Sequence, residues 1–394
     1  MDSLKYILKP YTIEDFLSKN WTTQAVFISS ESHHKFSHLF SWEKLNYLLN
    51  FHQFQYPDLR FALDEKVLDA NANTNLIKQC QDGATLILNG LHKLTPELAN
   101  FTSEVKHDLG CGVQINAYYS SPQRQGFSSH YDTHEVFILQ IEGTKNWFVF
   151  RDTFKYPLPN QKSSTMPPPQ EEPYLTCVLK PGDVLYIPRG HWHYAKANDE
   201  PSLHLTLGVH CKTGIDFLEW VVDKLRDSEQ WRQSMPLRLD TDAAASYINN
   251  QIINLNNYLS SNKIYDEYIS YLDSLSKPLA TYSLPYQAGF NIFSQGTETK
   301  FRNSKFQRVK ISELPDCSGY KVLVAGKEVS LKGVNISTVE KLFTTETFTG
   351  NDVISWLPDY DWEIDIAPLL SRLVTDSIIF VDTNYSQYCS VKDT

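Results

Sequence analysis

The sequence predicts a mixed α/β fold of the α+β kind, centred on a double-stranded β-helix, the jelly-roll barrel. Three observations predict it. Glu135 to Glu142 is a mostly apolar strand, Gly143-Thr144 a turn, and Lys145 to Phe150 a second, aromatic strand. Leu179-Lys180-Pro181-Gly182-Asp183 then turns the chain into the short apolar strand Val184 to Ile187, and Pro188-Arg189-Gly190 turns it again. Metal-ligating residue types flank these strands, as His130-Tyr131-Asp132 before the first and His191-Trp192-His193 after the last. At 394 residues the chain exceeds what one hydrophobic core usually organises, so two or three domains are expected.

From the start of the chain, Thr12-Ile13-Glu14-Asp15 has the form of a capping box, opening a helix through Phe16 and Leu17 toward Trp21. Ala25 to Ile28 reads as a strand, and Trp42 to Phe51 has apolar residues at helical spacing. His33, His34 and His38 cluster locally, but no carboxylate follows at ligand spacing, so a solvated loop is the plainer reading. Gln81 to Asn89 is a turn followed by a strand. Thr95-Pro96-Glu97 opens a helix with proline in its first turn, which should end near Leu109-Gly110. On the next strand, Val113 to Tyr119, the side chains of Gln114, Asn116 and Tyr118 share one side and can look into a pocket together. Tyr118 reads equally well as a packed aromatic with a locally bonded hydroxyl.

His130 and Asp132 are two apart, so in an extended strand both side chains leave the same face and can reach one ion, whereas a helix would splay them. Two imidazoles and one carboxylate can fill one triangular face of an octahedron and leave the other positions for cosubstrate and oxygen, the pattern of non-haem Fe(II) oxygenases. His191 and His193 are also two apart, so periodicity does not choose the second histidine. Lys145 starts a strand with apolar neighbours. Buried without a partner it would cost several kcal/mol or lose its proton, and a dianionic ligand would satisfy it; the alternative is a surface lysine beside a hairpin turn.

The run from His130-Tyr131-Asp132 through Glu135-Val-Phe-Ile-Leu-Gln-Ile-Glu142 to Trp147, with Lys180-Pro-Gly-Asp183 and Pro188-Arg189-Gly190-His191-Trp192-His193, resembles the ribosomal oxygenases, JmjC/cupin proteins that hydroxylate protein side chains with Fe(II), 2-oxoglutarate and O2. Asn116-Ala117-Tyr118 and Ser202 to Thr206 extend the likeness, which covers roughly residues 80 to 215. The resemblance implies that His130, Asp132 and His193 hold the metal, its Pro-Arg-Gly-x-x-His pattern selecting His193. It implies that Lys145 binds the distal carboxylate of 2-oxoglutarate, with Asn116, His204 and Thr206 around the cosubstrate. Asn116, Tyr118 and Tyr131 become candidate substrate contacts. His134 and His191 are then extra imidazoles near the site, for packing or a substrate contact rather than ligation. Gly208 stands where relatives carry a serine near the substrate, which leaves substrate identity open.

Tyr156 to Tyr174, rich in Pro, Gln and Ser, is expected to be a loop by the pocket mouth. After Cys211 the pattern turns helical, at Ile215 to Leu225 and from Ala244 through Leu272. The resemblance implies a catalytic domain over 1–211, a helical dimerisation domain over 212–280 and a winged-helix-like domain over 281–394, hence a homodimer. A winged helix can bind DNA and Lys300 to Lys310 is a basic run, yet acids outnumber bases in that segment, so a protein contact is expected there. The formal charge of -10 argues against general nucleic-acid binding and suits a basic polypeptide substrate. No apolar run approaches a membrane span and no signal-peptide layout opens the chain, so a cytoplasmic protein is expected. The six cysteines show no Cys-x-x-Cys spacing and read as reduced structural thiols. Two other products stay open: a modified precursor peptide of a natural product, and, from another class, a non-catalytic cupin binding module.

Overall fold

In the computed structural model the chain divides into two compact units, Met1–Cys211 and Lys212–Thr394. The structure describes residues 3–237, 241–275, 282–305 and 307–382. Cys389 and residues 276–281, where the helical and C-terminal segments were expected to meet, lie outside them.

The first unit runs α1 (Ser3–Leu8), α2 (Ile13–Lys19), β1 (Val26–Ile28), α3 (Trp42–Phe51), β2 (Leu59–Leu63), β3 (Lys66–Val67), α4 (Leu76–Gln81), β4 (Thr85–Leu88), α5 (Pro96–Leu109), β5 (Gly112–Ser120), β6 (Glu135–Glu142), β7 (Lys145–Asp152), β8 (Leu175–Leu179), β9 (Val184–Ile187), β10 (His191–Ala197) and β11 (Ser202–His210). The strands form an eight-stranded antiparallel sheet in the order β1-β9-β6-β11-β5-β4-β2-β3 and a three-stranded sheet β10-β7-β8. Caps set the helix ends. The Thr12 hydroxyl accepts from the Asp15 amide, and the Thr95 hydroxyl from the Leu98 amide. Proline follows at the first turn of α5, and Gly110 closes that helix at φ 68.

Strand alternation sorts the large sheet into two faces. Outward residues, among them Phe137 and Leu139 of β6, Leu205 and Leu207 of β11, and Ile115 and Ala117 of β5, form one core with the apolar faces of the N-terminal helices. Inward residues Val136 and Ile138 of β6 and Leu185 and Ile187 of β9 pack with Trp147 and Val149 of β7 and Leu179 of β8, the core of the barrel itself. By the same parity the inward positions of β5 are Gln114, Asn116, Tyr118 and Ser120, and those of β11 are His204, Thr206 and Gly208. A wall of polar groups therefore completes a barrel whose other side is greasy. The β6–β7 hairpin turns at Gly143, φ 64, where an added Cβ would lie 2.0 Å from the Pro201 carbonyl oxygen, so only glycine fits.

The second unit contains α6 (Gly214–Leu225), α7 (Glu229–Arg232), α8 (Thr241–Leu259) and α9 (Ile264–Ser274), then β12 (Lys300–Asn303), β13 (Val309–Glu313), β14 (Gly319–Val324), β15 (Lys327–Lys332), α10 (Ile336–Thr344), β16 (Thr347–Thr349), α11 (Gly350–Trp356), α12 (Ala367–Thr375) and β17 (Ile379–Val381). Thr213 and Asp216 make a reciprocal capping box at α6, and Thr349 and Asp352 another at α11. Two small sheets, β16-β12-β17 and β13-β14-β15, share a core with α10 to α12 built on Phe301, Leu342, Phe343 and Leu370. Among the described residues no helix is long and apolar enough to cross a membrane.

Candidate active site

The residues just before β6 and those of β10 meet in a short antiparallel bridge: the His130 amide donates to the His193 carbonyl at 3.1 Å and the His193 amide to the His130 carbonyl at 2.7 Å. Two more ties hold the Pro188-Arg189-Gly190 turn against this bridge. The Gly190 amide donates to the Asp132 carbonyl at 2.9 Å, and buried Glu135 accepts from the Arg189 amide at 3.4 Å and from the Tyr186 hydroxyl at 2.5 Å. The backbone thus places all three predicted ligands together. His130, Asp132 and His193 each offer a ligand atom, all within 4.8 Å of one another, and this is the one group of three or more His, Cys, Asp or Glu of that kind among the described residues. His33, His34 and His38 form no such group.

The two imidazoles are prepared for ligation. His130 Nδ1 lies 2.8 Å from the Ser128 carbonyl and His193 Nδ1 3.1 Å from the His191 carbonyl. A carbonyl only accepts, so each Nδ1 is the donor and each Nε2 is the nitrogen left to face a ligand. His193 Nε2 sits 3.7 Å from Asp132 Oδ2. Burial, with His130 beside it, holds the His193 imidazole down at about 4, so it is neutral at physiological pH. Burial pushes the Asp132 carboxyl up, but His134, His130, His193 and Arg60 around it prevail and hold it below its ordinary value, as the anion. Two imidazole Nε2 atoms and one carboxylate suit a divalent first-row metal.

The choice between the two histidines of β10 rests on an irregularity. The register against β7 shifts between His191 and His193, so two-residue alternation fails there. His191 turns to Tyr174, whose hydroxyl lies 2.8 Å from its Nδ1, and to Asp152 at 3.8 Å. His193, and not His191, is the histidine that joins His130 and Asp132.

Lys145 is 5 % exposed on the inner face of β7. Its Nζ donates to the Ser120 hydroxyl at 2.8 Å and lies 5.8 Å from the Trp147 ring centre, with no carboxylate in reach among the described residues. Burial alone drives this ammonium down to about 7. Around it, Trp147 Nε1 and His204 Nδ1 are buried without a hydrogen-bond partner. Burial, with Lys145 beside it, pushes the His204 imidazole well below its usual value. An uncompensated cation among unpaired polar atoms fits an anionic, hydrogen-bonding ligand.

The remaining predicted residues line the same wall. Register places Asn116 beside Thr206 and Tyr118 beside His204. The Asn116 side-chain oxygen accepts from the Gly90 amide at 3.0 Å. Tyr118 stacks on His204 with ring centres 4.9 Å apart. Tyr131 does not join them, a correction to its expected substrate contact. Strand parity sends it away from His130 and Asp132; its ring is buried edge-on to Trp192 at 5.1 Å, and its hydroxyl donates to the Gln161 carbonyl at 3.0 Å. Ser120 and His210, which sequence reasoning missed, were findable by that same parity on β5 and β11. Arg60, felt electrostatically by Asp132 and Tyr118, carries no motif that could have announced it.

Gly208 has a physical reason. A Cβ there would come within 2.8 Å of two atoms of the His134 ring and 3.2 Å of the Gln114 Cγ. The imidazole of His134 occupies the space a side chain at 208 would need, and stacks on His210 at 4.6 Å.

Comparison with known proteins agrees with this architecture. Residues 93–217 match the family described as JmjC domain. Ribosomal oxygenase 1 of Rattus norvegicus is 30% identical over 253 residues, 59% of this chain and 42% of that protein. The bifunctional lysine-specific demethylase and histidyl-hydroxylase NO66 of Drosophila persimilis is 28% identical over 246 residues, 60% of this chain and 36% of that one. The chain therefore spans less than half the length of these relatives. YcfD, a ribosomal oxygenase from Escherichia coli solved in complex with cobalt and 2-oxoglutarate, shares the fold over 94% of this chain and 98% of its own, with a TM-score of 0.58 at 16% identity. Residues 93–217 are thus similar to JmjC domains, the chain is similar in sequence to ribosomal oxygenase 1 and NO66, and its fold is shared with YcfD.

Proposed function

We propose that the protein is an Fe(II)- and 2-oxoglutarate-dependent oxygenase that hydroxylates a side chain of a protein or peptide. The observation that carries this reading is an open-faced His130–Asp132–His193 group beside the buried, uncompensated ammonium of Lys145. The relatives named for ribosomal oxygenation and histidyl hydroxylation, and YcfD with cobalt and 2-oxoglutarate, support it. When bound, iron, 2-oxoglutarate and O2 would supply the oxidising chemistry, one oxygen atom going to the side chain and the other to succinate, with CO2 released.

The chain's own residues bind, orient and keep dry. His130, Asp132 and His193 would hold the metal through two Nε2 atoms and a carboxylate oxygen. Lys145, with Ser120 holding its ammonium in place, would pair with the far carboxylate of 2-oxoglutarate, and His204, Thr206 and Asn116 line that side. Trp147, Ile138 and Leu185 exclude water, which strengthens every charge interaction inside. Tyr118, stacked on His204 with its hydroxyl among Asn116 and Arg60, borders the substrate side.

The substrate class is a basic, ribosomal-protein-type polypeptide, which the net charge of -10 suits. Domains of 1–211, 212–280 and 281–394 are proposed as catalytic, dimer-forming and winged-helix-like, in a cytoplasmic homodimer that binds no nucleic acid. The exposed Leu218, Val222, Ile248 and Ile252 of α6 and α8 support the dimer. Anaerobic addition of Fe(II) and 2-oxoglutarate should give a weak visible charge-transfer band, and turnover with ribosomal-protein peptides should release succinate with an oxygen-atom mass gain on the peptide. A protein showing neither is a binding module of the same fold.

A further inference from the structure

We propose that Glu135 is a positioning residue for the metal group: its carboxylate, on the side of β6 turned away from the site, holds Arg189 and so fixes where Asp132 and His193 stand, an inference that rests on the metal-site reading above. Strand parity puts Glu135 with Phe137 and Leu139 on the outward, apolar face of β6. It is 1 % exposed and is no member of the ligand group. A buried carboxylate is costly where an apolar side chain of similar volume is not, so it needs partners. Three donors converge on it. Its Oε2 accepts from the Tyr186 hydroxyl at 2.5 Å and from the Arg189 amide at 3.4 Å, and its Oε1 faces Arg189 Nε at 3.8 Å. Neither Oε1 nor Nε makes a hydrogen bond elsewhere, so each is left to the other. The Arg189 guanidinium also packs over the Tyr156 ring, 5.5 Å from its centre.

One end of this link is fixed. The Tyr186 oxygen accepts from the Thr22 amide at 2.8 Å, and its ring stacks on Trp21 and sits edge-on to Phe16, so the carboxylate is tied to the core. The other end is the turn that carries the distal ligand. Glu135 stands three residues after Asp132 and Arg189 four before His193, so the link spans the same two segments as the ligands do. The chain between is stiff. Pro188 to His191 is a tight turn, the His191 amide donating to the Pro188 carbonyl at 3.2 Å, and the Gly190 amide holds the Asp132 carbonyl at 2.9 Å. Gly190 lies at φ 85, and a Cβ there would come within 2.9 Å of the Phe154 carbonyl oxygen. Displacing Arg189 therefore displaces backbone that bears on both ligands, and a ligand set loosened by about 1 Å holds a metal poorly.

The test uses the full-length, metal-stripped protein titrated with Co(II), with affinity and ligand geometry both read from the visible spectrum and urea unfolding followed on the same samples. Glu135→Leu and Arg189→Met should each raise Kd for Co(II) about 10–100-fold, the loss expected of an outer partner, and change the shape of the cobalt bands. The double variant should bind within about threefold of the weaker single one, since either change breaks the same link. Leu98→Ala, a cavity on α5, should lower the urea midpoint at least as far yet leave Kd within about threefold of wild type and the bands unaltered, which separates positioning from general loosening. Glu135→Gln keeps both accepted hydrogen bonds and loses the charge: recovery of wild-type affinity assigns the hold to those bonds, and a loss like that of Glu135→Leu assigns it to the pairing with Arg189, both in support. Arg189→Met leaves β6 intact and carries the test where Glu135→Leu does not fold. Glu135→Leu and Arg189→Met that bind Co(II) within about threefold of wild type with unaltered bands overturn the inference, as does a Leu98→Ala protein that loses the metal equally; the metal-site reading then stands. A wild type that binds no Co(II) overturns both.

Discussion

Replacing Lys145 by methionine should move stability and cosubstrate affinity in opposite directions. The lysine is nine-tenths and more buried and its ammonium titrates at about 7, against 10.5 for a free lysine. At ~1.4 kcal/mol per decade, that difference is about 5 kcal/mol by which ligand-free folding disfavours the charge. The sign follows from linkage. Between about 7 and 10.5 the unfolded chain binds the proton and the folded one does not, so stability rises with pH across that window, and the full penalty applies below pH 7. Lys145→Met removes the penalty and leaves the Ser120 hydroxyl with the Thr85 hydroxyl as its partner, a loss of at most about 1–3 kcal/mol, so the ligand-free variant should gain a few kcal/mol at pH 7. Binding shows the reverse. Leaving one partner of a buried ion pair alone costs about 3–5 kcal/mol, so Kd for 2-oxoglutarate should rise by about two to four orders of magnitude.

A pH series sharpens the test, because a group that binds the dianion only when protonated must take up a proton above its ligand-free pKa. Wild-type Kd should therefore worsen by up to about tenfold per pH unit above 7, while the methionine variant shows no such slope. The measurements are urea unfolding of the ligand-free protein and calorimetric titration of 2-oxoglutarate onto the cobalt-loaded one. A variant that unfolds more easily yet binds 2-oxoglutarate as well as the wild type would falsify the argument, since Lys145 would then be a structural prop for Ser120.

Other expectations follow from the same geometry. His193→Ala should weaken Co(II) binding, read from the visible spectrum, by more than the ~10–100-fold lost with an outer partner. His191→Ala should instead lower stability by about 1–3 kcal/mol, since the Tyr174 hydroxyl loses its acceptor while its oxygen still accepts from the Ala25 amide, with Co(II) affinity within tenfold of wild type. Tyr131→Phe should cost about 1 kcal/mol, a fall of about 2–4 °C in Tm, and leave kcat unaltered; a large fall in kcat would restore Tyr131 to the substrate site. The thiols of Cys111 and Cys211 lie 3.1 Å apart at the ends of the paired strands β5 and β11. Oxidised glutathione should join them, with a loss of 2 Da and a higher urea midpoint from a loop of about 100 residues, worth up to about 5 kcal/mol; an unchanged mass would show that the strand ends cannot close the bond.

What was legible in the sequence, and what was not, divides along the range of the interaction that decides it. Strands β6 and β9 and helix α3 have the limits that continuous apolar runs and helical spacing give, because the two strands are buried on both faces and the helix on one. The cap at Thr95 and the left-handed Gly110 end α5 where the local signals put them. The pair His130 and Asp132 was legible for the same reason: two-residue parity is a local property of an extended chain. That parity also turns Tyr131 away from the His130–Asp132–His193 group, so its expected substrate contact fails by the same rule that pairs His130 with Asp132. The distal histidine was different. His191 and His193 obey no parity, since the register slips between them, and a slip is fixed by the partner strand β7 rather than by the residues that slip. Gly208 is the extreme case. Alone it is only a missing side chain, and its meaning appears when β5, β11 and β6 are in register and the ring of His134 is found over it. The reactive centre is thus written in short spacings that a reader can follow along the chain, whereas the features that would choose a substrate are written across strands. Two chains can share the first and differ in the second, since the packing of His134 over Gly208 depends on the register of three strands and on no spacing along one.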